Sequence, residues 1–208
     1  MTNIDSLLDN LAAEGPRPSG GQGLRFAGPL FAVLALCALG AALALDGAFS
    51  TMPRDGMGPI AIKWGFSITL LALAAGALYV LGHPGRPFRS AVAMVAVPFI
   101  PMVALLAFET AIAGPQITGD TWAQCLAAML IMSPIAFAAA IMATRALAPV
   151  NLRRAGLIAG LFGGGVAMAV YSPFCPERGM GYVALFYMLP ILAMAGIGWL
   201  TGPRLLRW

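Results

Sequence analysis

Long apolar runs separated by short polar connections dominate the chain. Six such runs, each about 20 residues long, are interrupted only by clusters of Gly, Pro and charged residues. Crossing the hydrocarbon core of a bilayer takes about 20 mostly apolar residues in a helix. The pattern therefore predicts six membrane spans, at Phe26–Leu45, Ile60–Leu81, Ser90–Ile112, Trp122–Leu147, Ala155–Tyr171 and Tyr182–Leu200.

Helices are expected in all six runs. Inside hydrocarbon every backbone donor and acceptor must be satisfied within the protein, and the runs lack the alternation of apolar and polar residues that marks a membrane barrel. The chain is thus predicted to be an all-α, polytopic membrane protein with six transmembrane helices. Residues 1–14 are expected to form a cytoplasmic tail, residues 15–25 a flexible linker and residues 26–208 the transmembrane domain.

Composition agrees with a membrane protein. Of the 208 residues, 60% are apolar and 10% are charged, against about 45–50% and about 25% in soluble domains. The first run follows an acidic segment and exceeds the roughly 7–15 apolar residues of a signal peptide, so we expect it to remain as an anchor.

Basic residues are divided unevenly between the two sides of the predicted bundle. The side that carries both termini holds nine of them: Arg17, Arg25, Arg86, Arg89, Arg145, Arg153, Arg154, Arg204 and Arg207. The other side holds three, which are Arg54, Lys63 and Arg178. An excess of Arg and Lys in short loops marks the cytoplasmic face. Both termini are therefore expected in the cytoplasm. Eleven Arg against one Lys, with abundant Ala and Gly, indicate a GC-rich bacterial genome, so a bacterial inner membrane is expected. The basic residues form no continuous patch with interleaved aromatics, so no direct nucleic-acid contact is expected.

The acidic tail carries the pattern of a short amphipathic helix. Its apolar residues recur at helical spacing, which puts on one face Ile4, Leu7, Leu8 and Leu11. Asp5 and Asp9 lie on other sides of the turn. A helix this short is marginal in water, so we expect it to fold on a partner, and its carboxylates favour a basic protein over anionic lipid. An incidental extension with accidental periodicity is the alternative.

Two of the three cysteines are expected near the outer face. Cys125 begins the fourth run and Cys175 lies in the last outer connection, whereas Cys37 lies mid-span and is expected only to pack. In an oxidising compartment the outer pair could form a disulfide. The pair could instead bind zinc or a heavy-metal ion transiently, since thiolates favour soft cations. Carboxylates that could complete such a site are Asp120, Glu177 and Glu109.

A repeat of glycines indicates close helix packing. Gly156, Gly160 and Gly164 recur every four residues, which favours close approach inside the bundle over a homo-oligomer contact. Mid-span positions are nearly devoid of polar groups, which argues against an ion path and a membrane enzyme. A small inner-membrane transporter or channel is the alternative function, and a thiol oxidoreductase is disfavoured because no second cysteine pair is evident.

Five short motifs distributed along the chain are typical of one family. They are Asp5-Ser6-Leu7-Leu8-Asp9-Asn10-Leu11-Ala12, Lys63 at the start of the second run, Trp122-Ala123-Gln124-Cys125 followed by Pro134, Cys175-Pro176-Glu177, and the end Arg204-Leu205-Leu206-Arg207-Trp208. Through them the whole chain resembles the NrsF family of six-helix membrane anti-sigma factors, which hold extracytoplasmic-function sigma factors at the inner membrane.

This resemblance implies a function for both ends of the bundle. The tail is expected to sequester a sigma factor, and Cys125 and Cys175, with Glu177 nearby, are expected to sense envelope stress such as heavy metals or thiol-reactive agents. Family members often carry His immediately before the second cysteine, whereas this chain has Phe174. A possible metal ligand is therefore lost, which leaves thiol oxidation or another outer signal open.

Overall fold

The computed structural model describes residues 22–50, 52–83, 88–114, 119–147 and 149–207, and no strand occurs among them. The predicted partner-binding residues 4–11 lie outside these ranges. The first helix begins at Gln22, within the end of the predicted linker. The α-helices are Gln22–Ala44, Met52–Asp55, Gly58–Leu81, Phe88–Met94, Phe99–Ala113, Trp122–Arg145, Leu152–Tyr171, Met180–Val183 and Leu189–Leu205, with a 3₁₀ turn at Ser172–Phe174 and a π-helical turn at Ala184–Met188.

These helices build six segments that are long and apolar enough to cross a membrane, which confirms the predicted all-α, six-helix class. The segments, called spans 1 to 6 below, are Gly23–Ala44, Gly58–Leu81, Arg89–Ile112, Trp122–Arg145, Leu152–Phe174 and Gly181–Leu205. Each overlaps one predicted run and differs by a few residues at its ends. The orientation inferred from charge stays a prediction.

Span 5 is the central helix of the bundle. Of its most apolar window, 89% is buried, against 17% for span 3. Span 5 packs against spans 1, 2, 4 and 6, whereas span 3 contacts span 2 and the beginning of span 6. A helix rich in Gly and Ala suits the central position, because it lets four neighbours approach closely.

The glycine repeat lies where spans 5 and 6 touch backbone to backbone. A Cβ atom on Gly156 would lie 2.1 Å from the carbonyl oxygen of Gly198, and one on Gly160 would lie 2.3 Å from that of Met194. No side chain fits between the two helices at these points. The predicted close packing within the bundle is therefore confirmed, and span 6 is the partner helix.

Prolines coincide with two irregular segments. Span 3 is interrupted between Met94 and Phe99, where Pro98 removes a backbone donor and Pro101 follows one turn later. In span 6 the π-helical turn Ala184–Met188 ends just before Pro190. Because Pro190 has no N–H group, it cannot donate to the carbonyl four residues earlier, which belongs to Phe186. The helix around Pro134 runs without interruption from Trp122 to Arg145.

Candidate functional site

One end of the bundle, which is the end predicted to face outward, is where the connections between spans 1 and 2, spans 3 and 4, and spans 5 and 6 meet. The connection between spans 1 and 2 contacts the one between spans 5 and 6, since the N–H of Phe49 donates to the carbonyl of Pro173 over 2.9 Å. The indole N–H of Trp64 donates to the carbonyl of Ala169, also over 2.9 Å. At the same end of the bundle lies a group of buried side chains, called the thiol cluster below: Lys63, Cys125, Tyr171, Cys175, Tyr182 and Tyr187.

Lys63 is a buried cation within this cluster. It is 1% exposed, and its Nζ donates to the carbonyl oxygens of Cys175 at 3.3 Å and Glu177 at 2.6 Å. The ammonium also lies 5.7 Å from the centre of the Tyr187 ring, a cation–π distance. A buried ammonium is costly unless it is hydrogen-bonded. Lys63 therefore ties span 2 to the segment that carries the second cysteine.

Both predicted sensory cysteines lie in the cluster as free, buried thiols. Cys125 is 0% exposed and Cys175 is 4% exposed. Cys125 occupies the first turn of span 4, and its thiol donates to the carbonyl of Phe186 over 3.7 Å. That carbonyl lies in the π-helical turn and is the one that Pro190 leaves without its usual donor. The thiol thus connects spans 4 and 6.

Three buried tyrosines surround the two sulfur atoms. The hydroxyl of Tyr187 approaches both Cys125 and Cys175, and that of Tyr182 approaches Cys125. No described residue forms a regular hydrogen bond with the hydroxyl of Tyr171 or Tyr187. A buried hydroxyl without a good partner costs about 1–3 kcal/mol, so such groups call for an explanation. The two tyrosine hydroxyls therefore indicate that the thiol cluster is a polar region inside an apolar bundle.

Glu177 caps the start of span 4 from a distant part of the chain. Its Oε1 accepts hydrogen bonds from the N–H of Asp120 at 3.1 Å and from the hydroxyl of Thr121 at 3.3 Å. A carboxylate is stabilising at a helix N-terminus, where backbone donors and the positive end of the helix dipole lie. Gly119 makes room for it, because a Cβ there would lie 2.6 Å from both Glu177 Cδ and the Tyr182 ring.

The soft donors of the cluster are its two thiols. Thiolates prefer thiophilic ions, whereas calcium and magnesium prefer oxygen ligands. Within the described ranges, no three His, Cys, Asp or Glu side chains come together in a way that could hold a metal ion. A structural zinc ion takes four such ligands. The two cysteines are therefore the only described side chains of the cluster that could supply sulfur ligands. The carboxylate of Glu177 is held at the start of span 4 by its two hydrogen bonds at Oε1.

Sequence reasoning named the two cysteines and Glu177 as sensing residues, a role that stays a prediction, and it did not foresee the buried residues around them. Lys63 was expected near the end of its helix and was named only as a family motif, and Tyr187 was given no role. Tyr182 was expected in the interfacial aromatic belt, but it is 1% exposed and buried in the cluster. One signal was present: Lys63 is the single lysine of the chain and lies on the predicted outer side. The two tyrosines are five residues apart, a spacing that shares a face only because the π-helical turn inserts one extra residue between them.

Comparison with known proteins gives consistent matches. The family model described as "NrsF: Negative regulator of sigma F" matches residues 11–208. The chain is similar to the "Anti-sigma-F factor NrsF" of Caulobacter vibrioides (strain NA1000 / CB15N), with 33% identity over 218 aligned positions that cover 98% of this chain and 99% of the relative. It is also similar to the "Probable anti-sigma-F factor NrsF" of Azospira oryzae, with 36% identity over 155 positions and 71% of each chain. No solved structure matches.

Proposed function

Because this chain belongs to the NrsF family of negative regulators of sigma F, we propose that it is a membrane-bound anti-sigma factor of the extracytoplasmic-function class. The family has a regulatory role and not an enzymatic one. In this proposal the protein holds a sigma factor at the bacterial inner membrane and releases it when the thiol cluster is chemically changed. The observation that carries it is the family match, which extends across all six spans.

Capture is assigned to the tail. Its apolar face of Ile4, Leu7, Leu8 and Leu11 would enter a groove on the sigma factor, while Asp5 and Asp9 face its basic surface. Helix-in-groove recognition of this kind reads apolar residues at i, i+3, i+4 and i+7. The charge-based topology supports this assignment, because it puts the tail on the side of the transcription machinery.

Sensing is assigned to Cys125 and Cys175. A thiophilic divalent cation would displace the thiol protons and bind the two sulfur atoms. A two-electron oxidant would instead remove two electrons and two protons and leave a disulfide. Both reactions remove the S–H donor of Cys125 from the carbonyl of Phe186, and both require space in a site where Cys125 is 0% exposed.

The signal then passes to span 6. Loss of the thiol contact leaves the Phe186 carbonyl without that donor, in a π-helical turn, a feature frequent at functional sites. Span 6 ends at Leu205, at the end of the bundle where span 1 begins. A change of helix arrangement follows only if the modified cluster favours it by a few kcal/mol over the resting one.

Capture can be tested with one pair of charge-matched variants. Leu8→Asp puts a carboxylate on the apolar face of the tail, whereas Asn10→Asp adds the same charge outside it. The expected result is that the full-length Leu8→Asp protein no longer co-purifies with its sigma factor, while Asn10→Asp still does, since a charge would have to enter an apolar groove. Equal retention by both variants would contradict the tail contact.

Release can be tested separately. Cells carrying Cys125→Ser together with Cys175→Ser are expected to repress the sigma-dependent promoter normally but not to respond to cadmium or diamide. Cys37→Ser is the matched control, because Cys37 is also buried but lies in span 1, outside the cluster. A full response in the double variant would refute sensing by this pair while leaving capture intact.

A further inference from the structure

A basic groove lies at the end of the bundle opposite the thiol cluster. It is formed where span 5 begins and span 6 ends, and its volume is about 310 Å³. Its lining consists of Arg153, Trp199, Leu200, Pro203, Arg204 and Arg207. The excess of basic residues on the cytoplasmic face accounts for arginines at this end of the bundle but not for three of them in one groove, and neither sigma-factor capture nor thiol sensing uses them.

Among the residues that the structure describes, no carboxylate side chain lines the groove. The acidic side chains that the structure describes belong to the other end of the bundle: Asp46, Glu109, Asp120 and Glu177. The groove therefore brings three guanidinium groups together without a described carboxylate beside them. Like charges this close repel one another, and an anion between them removes the repulsion.

The helix dipole is unfavourable for one arginine of the groove, Arg153, and favourable for another, Arg204. Arg204 lies in the last turn of its helix, where a cation is favourable. Arg153 lies in the first turn of the helix Leu152–Tyr171, where the dipole and the free N–H groups are positive and a cation is unfavourable. Helix stability thus accounts for Arg204 but works against Arg153. An anion bound between the two would be attracted by Arg153 and by the helix start together.

The rest of the lining is apolar and faces outward from the bundle. Leu200 is 74% exposed and Trp199 is 36% exposed, and Pro203 continues the same wall. Trp is favoured at the level of lipid headgroups, and basic pockets between transmembrane helices bind anionic headgroups. A soluble anion would use only the arginines, whereas a phospholipid would use the arginines and the apolar wall.

We infer that this groove binds an anionic phospholipid, with its phosphodiester between Arg153 and Arg204 and an acyl chain along Trp199 and Leu200. Guanidinium groups suit this ligand because their planar fork can donate two hydrogen bonds to one phosphate. The groove walls are held at a fixed separation, since Gly156 and Gly198 are in backbone contact and a Cβ on Gly202 would lie 2.5 Å from the Leu152 carbonyl oxygen. Such preorganisation lowers the cost of binding.

The test measures lipid retention by the full-length protein in detergent micelles, using native mass spectrometry during titration with phosphatidylglycerol or phosphatidylcholine. Arg153→Gln combined with Arg204→Gln removes two charges from the groove. Arg25→Gln combined with Arg89→Gln is the matched control, because it removes two exposed charges from the same end outside the groove. Arg207→Gln is measured alone, since Arg207 follows the last helix and its loss cannot disturb helix packing.

The inference requires four results. The unaltered protein should prefer phosphatidylglycerol at least tenfold, and the groove pair should reduce that affinity at least tenfold. The control pair should stay within twofold, and Arg207→Gln should reduce the affinity at least threefold. Equal losses in the two pairs would show a general charge effect and overturn the inference, as would equal retention of the two lipids. Complete competition by glycerol 3-phosphate would also overturn it, because the ligand would then be a soluble anion.

Discussion

Gly160 at the contact of spans 5 and 6 offers a direct test of the packing. In Gly160→Ala the new Cβ would lie 2.3 Å from the carbonyl oxygen of Met194 and 2.8 Å from the Cα of Ala195. Ordinary contact begins at 3.4 Å, so the helices must separate by about 1 Å. The opposing atoms are backbone atoms, and no change of rotamer can relieve the clash. The variant is therefore expected to be less stable than the unaltered protein.

The size of the effect follows from a comparison with a second glycine. Overpacking a tight contact costs about 1–3 kcal/mol, while alanine gains up to about 1 kcal/mol over glycine within a helix. Gly196 lies in the same pair of helices, yet a Cβ there meets nothing within 4 Å. Gly196→Ala should therefore show only the helix gain. The difference in unfolding free energy between the two variants isolates the clash and should be about 1–3 kcal/mol.

The measurement is unfolding in mixed micelles with a rising mole fraction of dodecyl sulfate, followed by the loss of helical circular dichroism. Gly160→Ala should unfold at a lower fraction than the unaltered protein, and Gly196→Ala at the same or a higher fraction. If both alanine variants unfold at the same fraction, the backbone contact between spans 5 and 6 does not exist at this position, and the reasoning fails.

Three further outcomes are expected at the thiol cluster. Glu177→Ala should lower the unfolding free energy by about 1 kcal/mol through loss of the helix cap. Glu177→Gln should keep most of the cap's stabilisation, because the amide oxygen still accepts the hydrogen bonds. An equal loss of unfolding free energy in both variants, measured in the same assay, would contradict the cap. Lys63→Met should accelerate alkylation of Cys175 by maleimide several-fold, since Lys63 donates to the carbonyl of that residue, and an unchanged rate would refute this tie. In the native protein all three cysteines, including Cys37 and Cys125, should react slowly with maleimide because each is buried, and rapid labelling of Cys125 before unfolding would contradict its burial.

The six spans could be predicted because bilayer thickness imposes one length on every apolar run. The glycine repeat at Gly156, Gly160 and Gly164 likewise predicted a close contact, since small residues every four positions have few other uses in a membrane helix. The identity of the partner helix could not be predicted. Which neighbour faces the repeat depends on how six similar helices arrange themselves, and their hydropathy carries no such information.

The candidate site was predicted only in part. The cysteines stand out by residue type, and charge put both on the outer side. Lys63 stood out as the single lysine and as a family motif, but its burial could not be predicted, because it arises only where span 2 meets the segment from Cys175 to Glu177, far away in sequence. Tyr182 and Tyr187 were missed because a regular helix separates residues five apart, and only the π-helical turn brings both to Cys125.

The backbone contact between spans 5 and 6 has a mechanical consequence. Where side chains interlock, a small shift of one helix is absorbed by rotamer changes, but a glycine has no rotamer to change. At Gly156 and Gly198 one peptide rests directly on another, so the joint is stiff. A displacement of span 6 must either drag the central helix with it or pull the pair apart. While the contact holds, spans 5 and 6 therefore move as one rigid unit that reaches from the thiol cluster to the basic groove.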